Sequence, residues 1–385
     1  EVIRDLKRFR LTYQATPMIF TTRQLDSSGN LGIKKLLEIQ PLTAAQSQKF
    51  VCAYLSKKGE QLSKQLENRL REFGQTPLLL WMLCELFSQR EQIPSNLGLI
   101  FRQFTTGYEN NLKEDVPVET DRRQWQYLLQ YLAFTMMQGK EPTEFRVAIP
   151  KQEAKQILRQ FWQGKVTDPE SLTIKYLDEL LKYHLIQINS SEQIEFRHQS
   201  LQEYYAAEYL LEKLDDLNNE EIKRDYLNYL KWTESIALML ALIEKEEQAV
   251  RIVQLASEVD LNLAARLAGE VLPKFKERTV VGCIEELEVP KLLKITLLEL
   301  TNSVTAVPIL SKALRDEDSE VGRRAVEVLK KIGSDTAVPD LIEALNHEDA
   351  QVRRAAEEAK RKIGSEKADP NLIEAFNHKD TKVSS

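Results

Sequence analysis

The chain has 385 residues, 42% of them hydrophobic and 29% charged, with a formal charge of −6. That length calls for more than one core, and that charge gives no global attraction to nucleic acid or to an acidic membrane surface. The best candidate for a membrane span, SIALMLALI at 235–243, falls far short of the roughly 20 residues a span needs. Glycine is scarce, at 13 residues, while Leu, Glu, Lys, Gln and Ala are abundant. These are strong helix formers, and they predict a mainly helical protein. Cys52, Cys84 and Cys283 lie far apart in no metal-ligand spacing. Buried thiols in a reducing, cytoplasmic setting are expected rather than a disulfide framework.

Residues 1–11 have helix spacing, with Val2, Ile3, Leu6 and Phe9 on one side. There is no signal peptide and no initiator methionine, so a piece of a longer protein is expected. MIFTTR (18–23) and LLEIQPLT (36–43) read as short strands around a polar loop. The first 45 residues thus read as the tail of an α/β unit, too short to be a domain alone.

After Pro41 the pattern turns helical. Thr43 is a candidate N-cap for a first helix, and Gly74 closes a second. TPLLLWMLCELFSQR reads as a buried third helix and about 98–112 as a fourth, giving a helical domain over 46–115. An amphipathic helix over 120–138 follows. PKQEAKQILRQFW and SLTIKYLDELLKYH are two more helices, the second with Ser171 as its expected N-cap. LIQINSSEQIEFRH reads as a β-hairpin and QSLQEYYAAEYLLEKL as the helix after it. Helices followed by a two-stranded wing predict a winged helix over 120–212.

Residues 213–300 read as a helical linker domain with weak internal similarity. A clear repeat then begins at 305, with prolines at 308, 339 and 370, a period of 31. Leu310, Leu341 and Leu372 match, and Asp318, Asp349 and Asp380 recur before valines. Proline near a helix start tolerates its missing N–H. The recurrent Asp can cap the second helix of each copy. Gly333 and Gly364, each after an isoleucine, should end those helices in the left-handed conformation. Such helix pairs bury their apolar faces only by stacking, with Leu341 expected between pairs. The third copy lacks its second helix.

Taken in order, MIFTTRQLD, LLEIQPLT, GQTPLLLWMLCELF and FRHQSLQEYYAAEYL resemble the C-terminal half of a NACHT-type NTPase. These are signal-transduction (STAND) ATPases, and the resemblance is to bacterial members with C-terminal HEAT-like repeats. It covers about residues 1–300, with the HEAT-like repeats over 301–385. The fold it implies is mainly α and multidomain: a partial α/β NTPase core remnant, a helical domain, a winged helix and an α-helical HEAT-like solenoid.

The same resemblance implies three nucleotide-binding positions. Arg23 matches the sensor arginine, which at a strand tip reads the γ-phosphate; it is otherwise a surface arginine at a strand end. Pro77 matches the proline that packs near the adenine, and equally reads as a proline starting a buried helix. His198 matches the histidine that meets a phosphate in the closed state, and otherwise is a structural histidine at a strand end.

The chain departs from the family in having no Walker A loop and no Walker B acids. By itself it is expected not to hydrolyse ATP and to hold no cofactor; ATP or ADP with magnesium belongs to the full-length parent. The function implied is the C-terminal regulatory and sensing part of a nucleotide-gated signalling NTPase. Its HEAT-like repeats would recognise a protein ligand, and the full-length protein would be capable of self-assembly. The alternative is a non-enzymatic HEAT-repeat interaction scaffold.

A DNA-reading winged helix is disfavoured, because SLTIKYLDELLKYH sets only Lys175 and Lys182 against Asp178 and Glu179. A di-iron enzyme of the deoxyhypusine hydroxylase kind needs several His-Glu pairs, and only His347–Glu348 is one. The phycobilin lyases share the repeat but leave the NACHT-like segment unexplained. No spacing supports a Ser-His-Asp or Cys-His constellation.

Overall fold

The computed structural model describes residues 8–13, 42–69, 77–90, 92–94, 96–111, 120–183 and 185–365. The chain is mainly helical and divides into two units, Glu1–Leu80 and Trp81–Ser385. The strand expected at 18–23, the one expected at 36–43 except for Leu42 and Thr43, which are not strand, the stop at Gly74 and the third repeat copy lie outside the described residues.

In the first unit, residues 8–12 are helical. Helix α1 (Ala44–Leu55) starts as expected at Thr43. Its hydroxyl accepts the Gln46 N–H (3.2 Å), and the Gln46 side chain accepts the Thr43 N–H (2.8 Å), a reciprocal capping box. Helix α2 (Gly59–Arg69) folds back on α1 after a short 3-10 turn, Ser56–Lys58.

Helix α3 (Pro77–Arg90) begins in the first unit. In the second unit its Met82, Leu83, Cys84, Leu86 and Phe87 are buried, as its apolar sequence predicts. Helices α4 (Leu97–Asn111) and α5 (Arg123–Gln138) follow. Strand β1 (Ala148–Pro150) leads into α6 (Lys151–Trp162) and α7 (Pro169–Tyr183), then β2 (Ile186–Ile188) and β3 (Gln193–Phe196). The strands form one antiparallel sheet in the order β1-β3-β2, with Ala148 opposite Glu195 and Ile188 opposite Ile194. The hairpin is as expected; the third strand is an addition. Ser171 is not the cap of α7. The Asp168 carboxylate accepts the Ser171 N–H (3.1 Å), because the helix starts earlier, at Pro169.

Helix α8 (Gln199–Lys213) is the hub of the second unit. All residues from Leu201 to Glu208 are buried, against α4, α5, β3 and the first helix of the stack beyond.

From Asn219 onward the chain alternates between two layers. The first layer comprises a π-helical stretch Ile222–Leu227, α9 (Glu246–Val259), a π-helical stretch Glu277–Glu285, α10 (Val307–Ala313) and α11 (Val338–Ala344). The second comprises α12 (Thr233–Leu240), α13 (Leu261–Glu270), α14 (Lys291–Leu300), α15 (Ser319–Ile332) and α16 (Ala350–Ser365). The second-layer helices start at 233, 261, 291, 319 and 350, a step of 28 to 31, and each packs on the next.

The repeat chemistry follows its expected logic. Pro308 and Pro339 sit in the first turns of α10 and α11. Asp318 caps α15, and Asp349 accepts the Gln351 and Val352 N–H groups at the head of α16. Gly333 ends α15 at φ 67°, in the left-handed region. Gly364 differs from expectation, since α16 continues through it to Ser365. Asn302, φ 45°, occupies the place of Gly333 one copy earlier, and Ser303 and Ser334 cap the following turns alike.

Candidate functional site

Of the three positions expected to read a nucleotide, Arg23 lies outside the described residues. Pro77 is the first residue of α3 and exposed, the place where a proline's missing N–H leaves no broken bond. It belongs to the first unit and His198 to the second. His198 follows β3 and is the N-cap of α8, with extended backbone (φ −149°, ψ 143°). Its Nδ1 accepts the Ser200 N–H at 3.1 Å. That bond requires Nδ1 to be unprotonated, so the neutral ring carries its proton on Nε2.

A polar network unforeseen from the sequence ties α4 to α8. Arg102 donates from Nε and Nη2 to the two carboxylate oxygens of Glu208, at 2.8 and 2.6 Å. The Tyr204 hydroxyl donates to Glu208 Oε1 (2.7 Å), and Thr105 Oγ1 donates to the Tyr204 oxygen (3.3 Å). The Tyr204 ring stacks on Phe101, centroids 5.5 Å apart. The bond to Glu208 raises the Arg102 pKa, and burial, with Glu208 adding, pushes Tyr204 well above its ordinary value. The one sequence signal is the Tyr204/Glu208 spacing of one helical turn on α8. With no nucleophile and a fixed charge pair, the network positions two helices.

The thiols are free, Cys84 and Cys283 buried and Cys52 half-buried. Burial pushes Cys84 up to about 12, which makes it a poor nucleophile. His347 Nδ1 accepts the Asp349 N–H (3.0 Å), a turn contact. Among the described residues no group of three or more His, Cys, Asp or Glu is arranged to hold a metal ion, and no helix is long and apolar enough to cross a membrane.

The stack of helix pairs presents an extended surface. Ion pairs lace one helix pair to another: Arg266 to Glu234 (2.7 Å), Lys291 to Asp316 (2.7 Å), Lys331 and Arg324 to Glu299, and Arg315 to Glu343 (2.5 Å). Beneath them Leu310, Leu329, Leu341 and Val352 are fully or almost fully buried in a continuous apolar seam.

A family model described as HEAT repeats matches residues 295–384. No curated protein and no solved structure matches the chain. The match starts within α14, upstream of the proline repeat and in step with the Asn302/Gly333 equivalence. The chain therefore carries a HEAT-like repeat region, a helical module of the kind that commonly mediates protein–protein contact.

Proposed function

We propose that this chain is the C-terminal regulatory and sensing part of a nucleotide-gated signalling NTPase of the NACHT type. The observation that carries the reading is the junction at His198. Two helices lead into a small antiparallel sheet, and the histidine stands where its last strand meets α8. This supports a winged helix over 120–212 whose histidine reads a phosphate. The Ser200 N–H engages Nδ1 as a cap, so the neutral ring carries its proton on Nε2, a group of the chemistry a phosphate oxygen accepts from. A helix N-terminus also favours an anion.

In this reading residues 1–45 complete an NTPase core, 46–115 form the helical domain and 213–300 join the winged helix to the repeats of 301–385. Arg23, Pro77 and His198 would contact ATP or ADP, whose magnesium and phosphate loop belong to the rest of a cytoplasmic parent protein. A bound nucleotide would supply the γ-phosphate that Arg23 reads and the phosphate that His198 meets in the closed state. The repeats take a protein ligand and bias the switch. The test is the complete gene product, purified, with its bound adenine nucleotide released and quantified. Wild type should retain ADP and His198→Ala should lose it.

A second reading, a non-enzymatic interaction scaffold, is favoured by the regular stacking of helix pairs from Asn219 onward. Protein that carries no nucleotide and takes up none would leave that reading standing.

A further inference from the structure

The second layer of the stack changes chemistry along its length. A step of 31 residues carries Leu292 to Arg323 and then Arg354, Glu299 to Lys330 and then Arg361, and Leu300 to Lys331. On α14 the leucines remain uncovered: Leu292 is 40% exposed, Leu300 39% and Leu293 37%. On α15 and α16 cations stand in the equivalent places. Arg323 is shared between Glu320 and Glu327, and Lys330 reaches Glu358. Arg354, Lys360 and Arg361 are exposed and have no carboxylate partner among the described residues. In the last described copy the first-layer side is opposite in sign. Gly333 to Asp349 contains five carboxylates and no lysine or arginine, whereas α16 contains five lysines and arginines against two glutamates.

Arg354 and Arg361 are seven residues apart, two turns and roughly 10 Å along one face of α16. Arg323 and Lys330 repeat that spacing on α15, one helix away at about 8–10 Å. We infer that this face binds an acidic amphipathic segment of a partner protein. Carboxylates two turns apart lie over Arg354 and Arg361, and an apolar side chain lies over Leu292 and Leu300. The inference rests on the reading of the array as a protein-interaction surface. Arg323 and Lys330 are half-buried but their glutamates are exposed, so these individually weak pairs can exchange their own carboxylates for those of a ligand. The leucines supply a contact that salt does not screen, and the cations set partner choice and encounter rate.

The test uses the whole chain and a short fluorescein-labelled helical peptide with glutamates two turns apart beside a leucine stripe, read by anisotropy. The peptide should bind, more weakly as salt rises. Arg354→Glu with Arg361→Glu should weaken it about tenfold or more. Leu292→Ser with Leu300→Ser should weaken it even at high salt, and Glu348→Lys on the first layer should leave it unchanged. All are exposed positions, so the melting transition should stay at its parental temperature. Absence of binding, or binding indifferent to the arginine reversal, overturns the inference. In that event, binding of the same peptide with lysines for glutamates would leave the interaction-surface reading intact. A single-stranded oligonucleotide held by Arg354 and Arg361 more tightly than the acidic peptide would also overturn it.

Discussion

Gly269 of α13 lies directly beneath the backbone carbonyl of Thr301. A Cβ placed at Gly269 would come within 1.8 Å of that oxygen and 2.7 Å of its carbon. Neither atom can rotate away, so the two second-layer helices touch here through backbone. Gly269→Ala must push them apart and should destabilise the chain by about 1–3 kcal/mol. Gly282, in the second π-helical stretch, has nothing within 4 Å of its own Cβ position. Gly282→Ala should be neutral or stabilising by up to about 1 kcal/mol. Urea denaturation of the two variants checks the contrast, and equal effects would remove the close-approach argument.

Leu341, on α11 of the stack, is fully buried. Leu341→Ala should cost about 2–5 kcal/mol through lost transfer energy and a residual cavity. The same substitution at Ile342, which is 45% exposed, should cost far less. Denaturation midpoints that do not separate the two would mean the stack does not pack on this seam.

Arg102→Met should cost about 2 kcal/mol, because it leaves the Glu208 carboxylate, 11% exposed, with Tyr204 but without its cation. Adding Glu208→Leu should recover much of the loss, since the stranded charge is gone. A double-mutant cycle by chemical denaturation measures this. Additive losses would show that the pair does not act as a unit.

His198→Ala should lower stability by about 1 kcal/mol through loss of the α8 cap, and His198→Asn should restore it. Asparagine keeps a cap acceptor but has no imidazole N–H. On the proposed function, His198→Asn therefore rescues thermal stability without rescuing ADP retention. Rescue of both by asparagine would reduce His198 to its capping role.

Burial, with Asp225 adding, pushes the Tyr226 hydroxyl up to about 12 from an ordinary 10.0. Above pH 10 the unfolded chain releases this proton while the folded chain keeps it. Stability is therefore unaffected below pH 10 and falls as pH rises from there to about 12, by about 1.4 kcal/mol per pH unit. Tyr226→Phe should flatten that alkaline slope. A slope unchanged by the substitution would place the titrating group elsewhere.

Where local chemistry decides the structure, the sequence was readable. Thr43 with Gln46, the polar NSSEQ turn, the paired prolines and the Asp-x-x-Val starts each act within a few residues. Elements made by distant partners were not. Strand β1 is three residues ending in proline, and it exists only because β3 offers it a free edge. Asp168 displaced Ser171 because Pro169, a favourable first helical residue, moved the helix start back. The helix pairs between Asn219 and Leu300 stack as the later ones do, yet they lack the recurring Asp-x-x-Val, and Asn302 replaces the stop glycine. Arg102 and Glu208 are 106 residues apart, beyond any local pattern. Of the expected nucleotide positions, only the helix-start character of Pro77 and the strand-to-helix place of His198 were legible locally.

Each second-layer helix packs on its neighbours along the layer and, as α9 with α13 and α11 with α16, on helices of the first layer, while α12, the first of them, sits against α8. Such a stack has no contact that holds both of its ends at once. Its opening is therefore graded: amide exchange should slow stepwise from α16 back toward α12, with the firmest protection beside the hub. Under a mechanical load the same arrangement behaves as an elastic element, because small rotations between successive pairs add up before any one interface breaks. A partner held on α15 and α16 would stiffen the far end and pass its pull down the stack to α8, the helix that His198 caps.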